Sequence, residues 1–480
     1  MGDAPVIVWF RNDFRLRDHP ALKAAVATGS PVIPLYILDE ETPGPWAPGG
    51  ASRWWLAKSL AAFAHTSATC GGQLILRRGA VLRELPRIVE ESGATAVYFT
   101  RSYEPWAVAL ENELKSRLET SGVAFKRYGG RLLREPEEVR THTNGAYQVF
   151  TPFWRAFVNG LDVPRALAAP EQIASPSQPP KSDDLRDWEL LPVKPDWSGG
   201  LAEAWQPGES GAHARLAGFK SQLAGYKEDR NRLDATGTSR LSPHLAFGEI
   251  SPAACWRAAT GAARGKGGLD QSIETFMREL AWREFSYSLL VQFPRLPEAP
   301  LKSEFADMPW LDDPAQLAAW QRGKTGYPVV DAGMRELWAT GYMHNRARMI
   351  TASFLIKHLL IPWSRGEAWF WDTLVDADLA NNSASWQWVA GCGADAAPYF
   401  RIFNPILQGQ KFDPHGNYVR RWVPELAQLP DAVIHAPWTA KAHELAQYGV
   451  VLGTTYPFPI VDHGRARARA LDAYKKMKAT

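Results

Sequence analysis

Short, β-rich apolar runs alternate with helical stretches through the first part of this chain, and then strand signals almost vanish. The runs are Val6–Phe10, Val32–Leu38, Leu74–Leu76 and Ala96–Thr100. Between them lie the helical stretches Ala51–Ala64, Val81–Glu91 and Ala107–Thr120. Strands that read as continuous apolar runs, separated by helices, predict a parallel sheet covered on both faces. No G-x-G-x-x-G follows the first strand, and Gly79 stands alone. The sheet is therefore Rossmann-like in pattern but lacks the glycine fingerprint of dinucleotide binding. From Glu135 to Gly211 prolines break the pattern, including Pro-Ser-Gln-Pro-Pro at 176–180, so this stretch reads as a long surface linker. Helical periodicity dominates from Ala212 to about Trp388, with loops rich in Gly and Pro after Gly391. The expected organisation is an α/β domain over 1–134, a linker over 135–211 and a larger all-α domain over 212–480.

At 480 residues two or three domains are expected. The net charge of +3 comes from 54 basic and 51 acidic residues. A balance so close to zero neither requires nor excludes a nucleic-acid partner, because the placement of charge decides it. The cysteines Cys70, Cys255 and Cys392 lie far apart, which argues against a disulfide framework or a cysteine-ligated metal and fits a reducing cytoplasm. Neither a signal peptide nor a run of 18 apolar residues is visible, so no membrane partner is expected. Tryptophan is abundant, with 21 residues. Such rings can fill a core, stack on bases or a planar cofactor, or carry electrons.

Four segments carry polar side chains in patterns that suggest chemistry. Tyr226 begins a stretch that ends in Thr238-Ser-Arg-Leu-Ser242, a turn rich in hydroxyls before a probable helix. Such a turn can cradle a phosphate, or it can be an ordinary capped loop. In Glu279-Leu-Ala-Trp-Arg-Glu-Phe285, Glu279 and Trp282 share a helix face, and Arg283 lies one turn beyond Glu279. A carboxyl beside an indole suits a pocket that holds a base, while the alternative is a surface ion pair between Glu279 and Arg283. Gly341–Met349 offers Asn345, Arg346 and Arg348, with Met349 one turn after Asn345. These donors suit phosphates or a carboxylate such as Asp376 or Asp378, or else a solvated basic face. The densest segment runs from Asp376 through Asp378 and Asn382 to Trp386 and Trp388. Acids, amides and indoles so close together resist burial unless a polar ligand partners them.

Taken together these motifs resemble the photolyase/cryptochrome family. The resemblance runs through Trp9–Asp18, Thr238–Ser242, Trp282–Phe285, Met343–Arg346, Trp386–Trp388 and Asp395–Pro405, and covers essentially the whole chain. It implies a cyclobutane pyrimidine dimer photolyase of the class III type, close to plant cryptochromes. Residues 1–134 would then be an antenna-type domain and 212–480 the FAD-binding catalytic domain. FAD, active as FADH⁻, would be held by Tyr226, Thr238, Ser239, Arg240, Leu241, Ser242, Arg283, Arg348, Asp376, Asp378 and Asn382. Asn382 matches the position facing flavin N5. Glu279, Trp282, Asn345, Met349 and Trp388 match the pocket for the flipped dimer, whose ring splits after electron transfer from excited FADH⁻. Arg230, Arg346, Arg401 and Gln408 would join Glu279, Trp282 and Asn345 in binding ultraviolet-damaged DNA. Trp386, Trp363 and Trp310 match the tryptophan chain that reduces the flavin.

Departures from the family also inform. Asn345 and Met349 stand where 6-4 photolyases carry histidines, and three cysteines are too few for an iron–sulfur cluster. Trp106-Ala107 replaces the Asn-Glu pair that many microbial photolyases use for folate. The expected antenna is methenyltetrahydrofolate held in another way, with Glu104, Trp106 and Gln148–Phe153 as candidates; an empty site or a deazaflavin are the alternatives. A cytoplasmic monomer with no obligate protein partner and no metal completes the expectation.

Overall fold

The computed structural model describes residues 4–263, 270–399 and 401–479. Phe400, within the expected Asp395–Pro405 motif, lies outside them. The chain divides into two compact units. The first comprises residues 1–224, 239–294 and 375–380, and the second 225–238, 295–374 and 381–480. These units cut across the sequence boundaries at 134 and 211: the proline-rich linker and part of the helical region fold with the sheet.

In the first unit five strands form one parallel sheet in the order β3-β2-β1-β4-β5. They are β1 (Val6–Phe10), β2 (Val32–Leu38), β3 (Ile75–Arg78), β4 (Ala96–Thr100) and β5 (Ala124–Tyr128). Helices α1 (Pro20–Val26), α2 (Gly50–Thr69), α3 (Val81–Ser92) and α4 (Pro105–Thr120) make the crossovers that parallel pairing demands. β1 and β2 are buried along their whole length, which explains their unbroken apolar runs. The strand order reverses between β1 and β4, the usual place for a nucleotide in such sheets. There Arg11, directly after β1, donates to Glu111 of α4 at 2.7 Å, and no glycine-rich turn is present.

The proline-rich segment clings to this sheet by backbone bonds. Val32 N–H donates to Ala174 O at 2.7 Å, and Ile173 N–H to Cys70 O at 2.7 Å. Within it the helix Phe150–Asn159 buries Phe150, Phe153 and Phe157. The second unit is built from helices, including Pro328–Thr340, Asn345–Ser353, Trp363–Thr373, Pro405–Phe412 and His463–Ala479. Among the described residues no helix is long and apolar enough to cross a membrane, and no cluster of His, Cys, Asp and Glu is arranged to hold a metal.

Candidate functional site

The long helix Asp270–Gln292 carries Glu279, Trp282 and Arg283 in the first unit. Glu279 and Trp282 are half-buried on it. Trp282 stacks face to face on Phe150, with ring centroids 3.8 Å apart and planes within 5°. Phe285 meets the same indole edge-on at 5.6 Å. One face of Trp282 is thus backed by an aromatic ring that sequence reasoning placed only among the antenna candidates.

Arg283 is buried and does not form the surface ion pair with Glu279 that its spacing allowed. Its guanidinium donates to Arg131 O at 2.9 Å, lies 3.4 Å from Glu284 and sits over the Tyr287 ring at 4.9 Å. Asp376 and Asp378 are buried as well. Asp378 accepts from the Tyr287 hydroxyl and lies 3.9 Å from the Arg131 guanidinium. Buried carboxylates need such donors, and these fix where Asp378 points. Arg131 also reaches Glu104 at 3.0 Å, so that antenna candidate is engaged in the same network. Trp106 is half-buried near the start of α4. In the 238–242 turn Arg240 takes a left-handed backbone, φ 51°, and its guanidinium stacks on Trp205 at 4.3 Å. Ser239 Oγ accepts from Leu241 N–H at 3.4 Å.

In the second unit a cavity of about 460 Å³ opens beside the helix Pro405–Phe412. Its lining includes Arg346, Met349, Trp388, Arg401, Gln408 and Phe412. The structure therefore gathers five of the sequence candidates around one concavity. Arg346 is held by contacts that include Asn231 Oδ1 at 2.5 Å, Met349 Sδ at 3.6 Å and the Phe412 ring at 4.4 Å. Asn345 is exposed at the first position of its helix, which His344 caps by accepting from Arg346 N–H at 3.1 Å. Burial and then Arg346 and Arg348 push His344 down to about 4, so it caps as a neutral ring. Arg348 donates to Met343 O at 2.8 Å. Arg230 lies over Tyr226 at 5.7 Å.

Asn382 is buried, and its Nδ2 donates to the backbone carbonyl of Glu367 at 3.0 Å. A carbonyl can only accept, so the amide orientation is forced and Oδ1 is presented as an acceptor. The next residue, Ser383, donates to the Glu367 carboxyl. Burial raises that carboxyl to about 8, while the Ser383 bond opposes the rise. Since the folded value exceeds the ordinary 4.5, the folded state holds the proton over that interval. Stability therefore declines as pH rises from about 4.5 towards 8. Glu367→Gln is expected to flatten that decline, removing up to about 1.4 kcal/mol per pH unit from the wild-type slope. Urea unfolding of both proteins across this pH range checks the difference.

Trp386 is buried on the helix Leu379–Ala390. It meets Phe370 edge-on at 4.9 Å and Trp320 at 6.3 Å. A Cβ at Gly366 would fall 2.1 Å from its ring, so glycine is required there. Trp363, buried, begins the helix that carries Gly366. Trp310 is half-buried, and the adjacent Leu311 pairs with Leu360 O at 2.8 Å. Trp320 and Glu367 carried no motif, and only their packing partners reveal them.

A family model described as the FAD binding domain of DNA photolyase matches residues 276–476, and one described as DNA photolyase matches residues 6–173. A deoxyribodipyrimidine photo-lyase of Agrobacterium fabrum is 52% identical, covering 99% of each chain. Cryptochrome-1 of Arabidopsis thaliana is 38% identical over 98% of this chain and 70% of its own length. The solved structure of a bacterial class III photolyase from Agrobacterium tumefaciens superposes with a TM-score of 0.96 at 51% identity, over 100% of this chain and 99% of that one.

Proposed function

The chain belongs to the DNA photolyase family, and on that footing we infer that it is a deoxyribodipyrimidine photo-lyase of the class III type, which binds FAD and uses light to split cyclobutane pyrimidine dimers in DNA. The observation that carries the reading is the cavity shared by Arg346, Met349, Trp388, Arg401 and Gln408. It joins cationic side chains, which suit phosphates, to an indole and a thioether, which suit flipped pyrimidines. When bound, reduced FAD supplies an electron to the dimer on excitation and receives it back after the ring opens.

The residues present fit that cofactor. The fixed acceptor Oδ1 of Asn382 suits a flavin whose N5 carries a proton, and would disfavour the oxidised form, whose N5 has only a lone pair. Asp376 and Asp378 offer carboxylate acceptors for the N–H edge of the ring and the ribityl hydroxyls. Tyr226 and Thr238 through Ser242 would hold the phosphates and ribitol, and Arg283 and Arg348 add positive charge towards them. Glu279 and Asn345 would bond the base edges, with Trp282, Met349 and Trp388 packing against the pyrimidines. Trp386, Trp363 and Trp310 would relay electrons from the surface. The family reading also implies a methenyltetrahydrofolate antenna. Trp106 is its candidate ring, since Glu104 and Phe150 are engaged within the protein. A reducing cytoplasm fits three free thiols, and a monomer is the expected state.

Arg230, Arg346 and Arg401 would meet the DNA backbone. Arg401→Ala is expected to weaken binding alike on all sequences and to reduce the slope of log affinity against log salt by about 1. Titrations over a salt series measure it. The function itself is tested by incubating flavin-loaded protein with ultraviolet-irradiated duplex DNA under blue light and in darkness. Dimers should disappear in the light only; loss at equal rates in both conditions would show a light-independent activity.

A further inference from the structure

Lys357 is 1% exposed, yet among the described residues no carboxylate lies within ion-pair reach of it. It sits on the π-helical turn Phe354–His358, which continues the helix bearing Arg346 and Met349. A buried ammonium is costly unless it meets strong acceptors. Its Nζ donates to Arg401 O at 3.2 Å and lies 5.4 Å from the centroid of the Tyr399 ring. Tyr399 in turn stacks on Tyr474 of the C-terminal helix at 4.7 Å.

The acceptor is what makes this arrangement informative. Residues 401–404 have neither helix nor strand, so the Arg401 carbonyl sits outside any ladder and takes its bond from Lys357. The same segment places Arg401, Ile402, Phe403 and Asn404 in the cavity wall. Asn404 then caps the helix Pro405–Phe412 by accepting from Ile406 N–H at 3.0 Å, and that helix supplies Gln408 and Phe412. The path of one short segment therefore sets much of the cavity.

We propose that Lys357 is a positioning residue for DNA recognition: its buried ammonium, bonded to the Arg401 carbonyl, fixes the segment that presents Arg401 to the DNA backbone. The inference rests on the photolyase reading of the cavity. It gives an otherwise costly buried charge a task, since a charge-assisted bond holds a carbonyl more firmly than a neutral one. Burial, and then the positive charge of Arg401, lowers the ammonium to about 8. The neighbouring His358, pushed down to about 3, is neutral in that range, as is Tyr399, which burial and Tyr474 push up. His463 and Arg469 of the C-terminal helix bond His358, and His463 is also lowered. Lys357 is thus the member of this group whose ammonium is lowered to about 8.

The test uses the flavin-loaded enzyme and dimer-containing duplex DNA. Lys357→Met is expected to weaken dimer binding about tenfold while FAD content and the repair rate at saturating DNA stay at wild-type values. Lys357→Arg should restore the affinity. Wild-type affinity should fall as pH passes about 8, and Lys357→Arg should remove that fall. Glu367 ionises in the same range in both proteins, so the difference between them reports Lys357. Wild-type affinity in Lys357→Met, or identical pH profiles for wild type and Lys357→Arg, would overturn the proposal. If neither variant folds, Glu367→Gln, which lacks that second ionisation, decides: a fall in its affinity across pH 8 supports the proposal and a flat profile overturns it. Failure of the photolyase reading would appear instead as wild-type enzyme without light-dependent repair.

Discussion

Glu279→Ala is expected to slow dimer splitting on bound DNA about 10²-fold while leaving most of the affinity for damaged DNA in place. Splitting passes through a pyrimidine carrying an extra electron, and that charge gathers on the carbonyl oxygens. A hydrogen bond donated to one of them by Glu279 in its protonated form would be stronger in that state than in the intact dimer, so it would act on rate more than on binding. The position suits the role: Glu279 is half-buried and three residues before Trp282 on one helix face. The stack of Phe150 on Trp282 holds that face in place. Glu279→Gln, which offers an amide N–H, should retain more of the rate than the alanine variant. Single-turnover repair and binding titrations separate the two effects. Equal losses in rate and affinity for Glu279→Ala would show a binding role only.

Trp386→Phe is expected to abolish light-driven reduction of bound oxidised flavin. Enzyme reduced chemically beforehand should repair at the wild-type rate. Phenylalanine keeps an aromatic ring beside Phe370 and Trp320, leaving a small cavity, but is far harder to oxidise, so the relay is expected to fail while the fold stands. Absorbance of the flavin under illumination with an external reductant reads the first effect, and a dark-reduced repair assay reads the second. Failure of pre-reduced Trp386→Phe to repair would show that Trp386 does more than relay electrons. Trp320, 6.3 Å from Trp386, makes Trp320→Phe a natural companion measurement.

Much of the sheet was legible because β1, β2 and β4 are buried along their whole length and read as apolar runs. β5 was not seen: its Ala-Phe-Lys-Arg-Tyr is an edge strand with exposed charges, a pattern that blunts open edges and hides the strand signal. Helix α1 was also missed, because it is short and its start depends on His19 accepting from Leu22 N–H. The linker was legible as irregular chain, but its adhesion to the sheet was not, since Val32 and Ala174 are joined only by the fold.

The site divides in the same way. Arg346, Met349 and Trp388 announced themselves through dense local motifs, and they line one cavity. Arg283 offered an i,i+4 partner in Glu279, yet it is buried against Arg131 O and Glu284 instead. Local spacing proposes a pair, whereas tertiary packing chooses among competing partners. Lys357 looked like any lysine in an apolar stretch, and only the Arg401 carbonyl beside it gives it meaning.

The central claim is a light-driven reaction that returns its electron, and repeated flashes on pre-reduced enzyme bound to dimer-containing DNA test it most directly. With no reductant present, repair should continue flash after flash while the reduced flavin absorbance stays constant. Repair that stops after one dimer per flavin, or proceeds equally in darkness, would contradict the account.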